Sequence, residues 1–273
     1  MAARRGDADR SALALFADEM RAARDRAGLT QDELAARVNY SATLIAMVEG
    51  LKRVPQADLA TRLDEALGYP GTFARLQERL RVLPFPASFR PFAAFEEIAT
   101  SLRTFEHALI PGLLQTADYA RAVLGTRPNT TLDQLDDMMS ARMARQAILE
   151  RDNPPMMWVV VDEAVLHREV GSAKVMADQL GHLAAMSDRP NVAVQIVPYS
   201  AGAHVGLQGA FVIADFEDSP PVAFLATATE GQTIEDASAV ARVALTFDSL
   251  RTEALPRRAS REMIMKVAEE QWT

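Results

Sequence analysis

The sequence of 273 residues contains no cysteine. Disulfide staples, thiolate nucleophiles and cysteine-based zinc sites are therefore excluded, and the chain suits a reducing compartment. Histidine is scarce too: there are four, His107, His167, His182 and His204, and no two stand at a close metal-ligand spacing. Neither a metal nor another cofactor is expected. No apolar run approaches the roughly 20 residues that span a bilayer. The N-terminal MAARRGDADR carries arginines with no apolar segment behind them, so neither a membrane partner nor a secretory signal is expected. Positive charge is also short. The net charge is −8, so binding to a polyanion must come from a few local cations and a shaped surface rather than from bulk charge.

What is present is ordinary globular material, 49% hydrophobic and 24% charged, in a length that allows one large domain or two smaller ones. Residues 1–11 read as a disordered tail. Residues 12–70 read as closely spaced short helices, an all-α head. Residues 71–93 read as a linker that contains LPFPASFRPF from Leu83 to Phe92. Its prolines at 84, 86 and 91 oppose helix, and Phe85, Phe89 and Phe92 are expected to pack on something. Residues 94–273 mix helix and strand, an α+β body. Helices are expected over Thr131–Arg151, with a Thr131/Gln134 capping box, and over Ser172–Met186, Asp236–Leu250 and Ser260–Gln271. Strands are expected at Met156–Asp162, Val192–Pro198, Gly209–Phe216 and Val222–Ala226.

Residues 28–53 read GLTQDELAARVNYSATLIAMVEGLKR. Thr30, with Glu33 three residues on, is a capping box before an apolar-periodic run. Leu29 and Leu34 occupy staple positions, and the helix buries Leu34 and Val38. Asn39 suits a left-handed turn. Ser41 caps a second helix in which Ile45 and Val48 share an inward face. Ala42, Thr43, Ala46 and Met47 are then expected to face outward. Gly50 ends that helix, and Lys52 and Arg53 follow where phosphates would lie. Leu13, Phe16 and Met20 supply the packing face of a preceding helix. Leu59, Leu63 and Leu67 supply that of a following one, closed by Gly68. Two short helices, a tight turn and an outward face describe a helix-turn-helix unit. A small helical bundle used for protein contacts is the plainer alternative, and the spacing of caps and turn disfavours it.

The segment resembles the phage-repressor-like XRE family of helix-turn-helix regulators. The family pattern is a glycine, an apolar residue and Thr-Gln-x-x-Leu-Ala, then a capped recognition helix ending in glutamate and glycine. Gly28, Leu29, Thr30, Gln31, Leu34, Ala35, Ser41, Ile45, Val48, Glu49 and Gly50 match it. The resemblance implies that the helix of about 41–49 enters the major groove of double-stranded DNA. Ser41, Ala42, Thr43, Ala46 and Met47 would be its readers. Thr30 and Gln31 would stand at the DNA backbone, or Gln31 would orient the recognition helix. The reading positions lack the arginine, lysine or asparagine that pair bidentately with bases. Readout would then rest on Thr43, on Ser41 and on apolar contact with thymine methyls, with modest affinity per half-site increased by dimerisation. Residues 1–68 hold 10 of the 29 basic and 11 of the 37 acidic residues, which leaves 19 against 26 in the more acidic remainder.

In the body, ALIPGLLQTADYARAVL, MMSARMARQAILERDNPP, WVVVDEAVLHREVG and NVAVQIVPYSAGAHVGLQGAF resemble the uncharacterised C-terminal domain of a large group of actinomycete regulators. That group includes the WhiJ-like and antitoxin-like proteins often encoded beside a small partner protein. The resemblance implies a non-enzymatic, cytoplasmic, nucleoid-associated homodimer whose body senses a small-molecule effector or a small protein encoded nearby. A second reading makes the body an antitoxin-like holder of that small protein, with DNA binding serving autoregulation. Tyr199, Ser200 and His204, on a loop expected to be mobile, are the candidates for contact with ligand or partner. The loop glycines at 202, 206 and 209 do not make a phosphate loop, because the spacing is wrong and no lysine follows. Asp162, Glu163 and His167 invite a catalytic reading, but a charged strand end beside a helix start is the plainer account. Met138, Met139, Met143, Met156 and Met157 read as mostly core.

Overall fold

The computed structural model describes residues 12–50, 53, 55–81, 89–227 and 231–272. The expected tail, and Pro84, Phe85 and Pro86 of the expected linker, lie outside the described residues. The chain divides into two units: Met1–Leu83 with Ala93–Ile98 and Glu217–Ser219, and Pro84–Phe92 with Ala99–Phe216 and Pro220–Thr273.

The first unit contains α1 (Ala12–Arg26), α2 (Gln31–Val38), α3 (Ala42–Glu49), α4 (Ala57–Leu67) and α5 (Thr72–Arg81). Each amphipathic helix turns its apolar stripe inward. Leu13, Phe16 and Met20 of α1, Leu34 and Val38 of α2, Ile45 and Val48 of α3, Leu59 and Leu63 of α4 and Phe73 of α5 form one buried cluster. The α5 helix is a departure from expectation, since residues 71–81 read from sequence as the start of a linker. Two features of that stretch explain the helix. Phe73 is fully buried, edge-on to Phe16 and Tyr69. Asp64, itself buried, accepts the backbone N–H groups of Phe73 at 2.9 Å and Ala74 at 2.8 Å. A carboxylate from α4 thus serves the otherwise orphan donors in the first turn of α5. Asp64→Ala leaves those donors unserved in a buried place. It is expected to cost about 1–3 kcal/mol, read as a shift in the urea midpoint at unchanged slope.

The next helix, α6 (Arg90–Ile98), contributes residues 93–98 to the first unit and 90–92 to the second. The second unit is an α+β domain on a six-stranded mixed sheet, β1 (Ser101–Glu106), β2 (Met156–Asp162), β3 (Val192–Val197), β4 (Phe211–Asp215), β5 (Val222–Leu225) and β6 (Gln232–Ile234), in the order β3-β2-β1-β4-β5-β6. Strands β1, β2 and β3 run parallel, and β4, β5 and β6 add antiparallel pairs on the other side of β1. Helices α7 (Ala117–Leu124) and α8 (Leu132–Gln146) lie between β1 and β2 in the chain. Helices α9 (Ala164–His167) and α10 (Ala173–Ser187) lie between β2 and β3, and α11 (Ala237–Glu253) and α12 (Arg257–Gln271) follow the sheet. The Thr131/Gln134 capping box forms as expected, and Ser172 and Asp236 cap α10 and α11.

One face of the sheet buries Phe105, Val160, Val197, Phe211, Ile213 and Ala223 against Val240, Phe247 and Leu250 of α11. The alternate residues Leu102, Val159, Val161, Val194 and Ile196 are buried as well. A strand run with both faces covered belongs to a parallel sheet, which accounts for the unbroken MWVVVD stretch. The expected aromatic packing is present: Phe89 and Phe92 meet Phe224, with ring centroids 4.9 and 5.5 Å away. Of the methionines, Met139 and Met157 are buried, and Met138 and Met143 pack on the small cluster between α7 and α8. Leu132, by contrast, is exposed although the spacing placed it on the apolar face.

Candidate functional site

The α2–turn–α3 segment is built by local chemistry at each of its corners. Thr30 accepts the N–H of Glu33 and Glu33 reaches back to the N–H of Thr30 at 2.8 Å, closing the capping box. The turn passes through Asn39 in the left-handed conformation, φ 57° and ψ 50°, which asparagine tolerates better than most side chains. Tyr40 then donates to Asp58 at 2.8 Å and lies under the guanidinium of Arg62. Ser41 accepts the N–H of Leu44 at 3.2 Å and starts α3. The helix ends at Gly50 with φ −85°, a conformation open to any residue.

On α3, Ile45 and Val48 are fully buried, while Ser41, Thr43 and Ala46 are exposed. Met47 is half-buried. Ala42, expected to face outward, is half-buried against the core together with Leu44. A helix of eight residues resting on Ile45 and Val48 cannot lift its first turn clear of the neighbouring helix. The outward surface is therefore narrower than expected, with Thr43 and Ala46 at its centre. The hydroxyls of Thr30 and Ser41 already serve as caps. Arg53 is half-buried, its guanidinium 6.0 Å from the Phe95 ring. Lys52 lies outside the described residues.

Gln31 is half-buried rather than exposed, and its amide donates to Glu49 at 2.9 Å. Glu49 is the residue that sequence reasoning passed over as more than a helix end. Its side chain is 2% exposed. Arg24 of α1 holds it with a fork, 2.6 Å to one oxygen and 3.1 Å to the other, and Arg21 donates to its backbone carbonyl at 2.6 Å. Burial pushes the carboxyl up, but the hydrogen bonds from Arg24 and Gln31 and the charges of Arg24 and Arg21 hold it below the ordinary carboxylate range. One buried carboxylate thus ties α1 and α2 to the C-terminal end of α3. Its sequence neighbourhood gave no signal of this, because Lys52 and Arg53 stand three and four positions on and offer nearer cations than Arg24.

In the body, Tyr199, Ser200 and His204 do not converge. Tyr199 and Ser200 are exposed on a one-turn 3₁₀ segment, and the backbone N–H of Tyr199 donates to Glu163 at 2.6 Å. His204 is turned inward, its side chain 4% exposed, with Nε2 2.8 Å from Asp162 Oδ2. The loop is not an open flap: residues 205–208 form a second 3₁₀ turn, and Gly206 sits against Phe105 and Leu250. The catalytic grouping of Asp162, Glu163 and His167 does not form either. Asp162 pairs with His204, while Glu163 stands 3.5 Å from His167 and also holds Tyr199. At the end of the neighbouring strand, burial pushes the Glu106 carboxyl up to about 8 against the pull of Arg142. Among the described residues, no group of three or more His, Asp or Glu side chains could hold a metal ion, and no helix is long and apolar enough to cross a membrane.

Comparison with known families agrees with the division into two units. Residues 15–76 match the helix-turn-helix domain family, so the α1–α5 unit is a helix-turn-helix domain of the XRE type. Residues 89–266, well over half of the chain, match the domain of unknown function DUF5753. The chain belongs to the DUF5753 family. No curated protein and no solved structure matches it.

Proposed function

We propose that the chain is a transcriptional regulator that binds a roughly palindromic operator as a dimer, with α3 lying in the major groove. The observation that supports this most is the exposed Thr43–Ala46 face on a helix fixed from behind by Ile45, Val48 and the Glu49 network. A rigid rod with its outer side clear is what groove entry requires. Thr30 and Gln31 stand at the entrance of α2, where its N-terminal N–H groups suit a phosphate. Lys52 and Arg53 supply backbone contacts after α3. The body provides dimerisation and responds to an effector or a small protein partner. On this reading its sequence motifs place it with the WhiJ-like and antitoxin-like regulators. Co-purification of a small protein encoded next door would favour the holding role.

Mobility shifts with genomic fragments test the assignment. Thr43→Ala is expected to weaken operator binding by about 1 kcal/mol and relax base preference without altering thermal stability. Lys52→Ala with Arg53→Ala should weaken binding to every sequence and flatten its salt dependence. Unaltered affinity across these variants would remove α3 from the DNA interface.

A further inference from the structure

We propose that the cleft between the 205–208 turn and the last turns of α11 binds a small ligand carrying a primary amine. The cleft has a volume of about 380 Å³ and is lined by His204, Val205, Gln208, Ser249, Leu250 and Glu253. That volume is within the range of small-molecule sites.

Its place in the fold is the first argument. Asp162 ends β2 and His204 lies shortly after β3, at the carboxyl ends of the parallel strands. Open sheets with parallel strands bind ligands outside those ends.

The chemistry of His204 is the second. Asp162 is itself fixed, its other oxygen accepting the N–H of Ala164 at 2.7 Å. In the neutral imidazole, a carboxylate opposite Nε2 keeps the proton on that nitrogen, which leaves Nδ1 as an acceptor. Nδ1 is buried and has no hydrogen-bond partner among the described residues. A buried acceptor left unmet is a standing cost that a ligand N–H relieves.

The lining selects the ligand class. Glu253 is exposed and has no ion-pair partner among the described residues, and Ser249 beside it is exposed as well. No lysine or arginine lines the cleft. An anion would meet the charge of Glu253 and of Asp162, with only the neutral donors Gln208 and Ser249 to offset them. A protonated amine meets a carboxylate, an imidazole lone pair and neutral oxygens, while the exposed Val205 accommodates a short alkyl chain.

The inference is independent of DNA binding and is tested on the full chain without DNA. Titration with putrescine, followed by the ring resonances of His204, is expected to give one saturable shift. The uncharged diol of the same chain length should give none. Glu253→Gln, a change at an exposed side chain, should leave the fold intact and weaken putrescine binding about tenfold. Absence of a saturable putrescine shift, an equal response to the diol, or unchanged affinity in Glu253→Gln each overturns the assignment.

Discussion

Replacing Glu49 with alanine should destabilise the helix-turn-helix unit by about 1–3 kcal/mol, because it removes the buried acceptor of Gln31 and of one edge of the Arg24 guanidinium, while Asp25 and the Leu29 carbonyl keep the other edge. Arg24 is 13% exposed at the side chain and Glu49 2%, so the edge of the guanidinium that faces Glu49 has little solvent to fall back on. A domain of this size has a total stability of roughly 5–15 kcal/mol. The variant therefore loses a sizeable share of that stability, and amide exchange in α1, α2 and α3 should accelerate about tenfold or more. Arg24→Ala should cost a similar amount, and the double variant much less than the sum, a coupling that a mutant cycle reads directly. Acid acts on the same group. A carboxyl held low in the folded chain contributes stability that is fully present above its unfolded value and is lost as pH falls through its folded one. The unit should accordingly weaken on acidification below about pH 4, and Glu49→Gln should flatten that part of the profile. Equal acid sensitivity in the wild type and Glu49→Gln would assign the loss to other carboxylates.

Gly206→Ala is the second large effect, in the other unit. A Cβ added there would overlap the Phe105 ring and come within 2.9 Å of a Leu250 methyl. Both side chains are fully buried in the cluster between the sheet and α11, so neither can step aside cheaply. Overpacking of this kind costs about 1–3 kcal/mol and at times more. The turn carrying Gly206 follows His204, so the strain should also displace the imidazole from Asp162. The measurement is a melting curve paired with the histidine ring spectrum. A loss of stability with the His204 resonances unmoved would show that the turn and the histidine are not mechanically linked.

The head was largely legible because its signals are local. The Thr30/Glu33 box, Asn39, Ser41 and the inward Ile45 and Val48 each depend on residues within a few positions of one another. What escaped depends on distance. Arg24 and Glu49 are 25 residues apart, and nothing in either neighbourhood announces the pair. Ala42 was misplaced because its exposure is decided by the neighbouring helix, not by its own period. The extra helix α5 was hidden by a cap supplied from α4. In the body, the apolar strands β2 and β3 were plain, but β1 was not. Its SLRTFE carries four polar or charged residues in the middle of a sheet. They are tolerated because Thr104 is buried in the sheet and Arg103 forks onto Asp215 at 2.7 and 3.0 Å. The pairing of Asp162 with His204 likewise joins residues 42 apart, so sequence spacing drew the eye to His167 instead.

The position of β1 also bears on how the chain is made. Its two flanking strands are supplied much later in synthesis, and Arg103 waits for a carboxylate 112 residues downstream. A ribosome that has finished the helical head has therefore delivered helices whose packing contacts are nearly all close in sequence, while the first strand of the body emerges with both edges unoccupied. Long-range pairing of this kind is slow and leaves open edges prone to wrong partners. Chains released after β3 but before β4 should consequently aggregate through β1, and in a pulse of newly made protein α1–α5 should resist protease before the second half does.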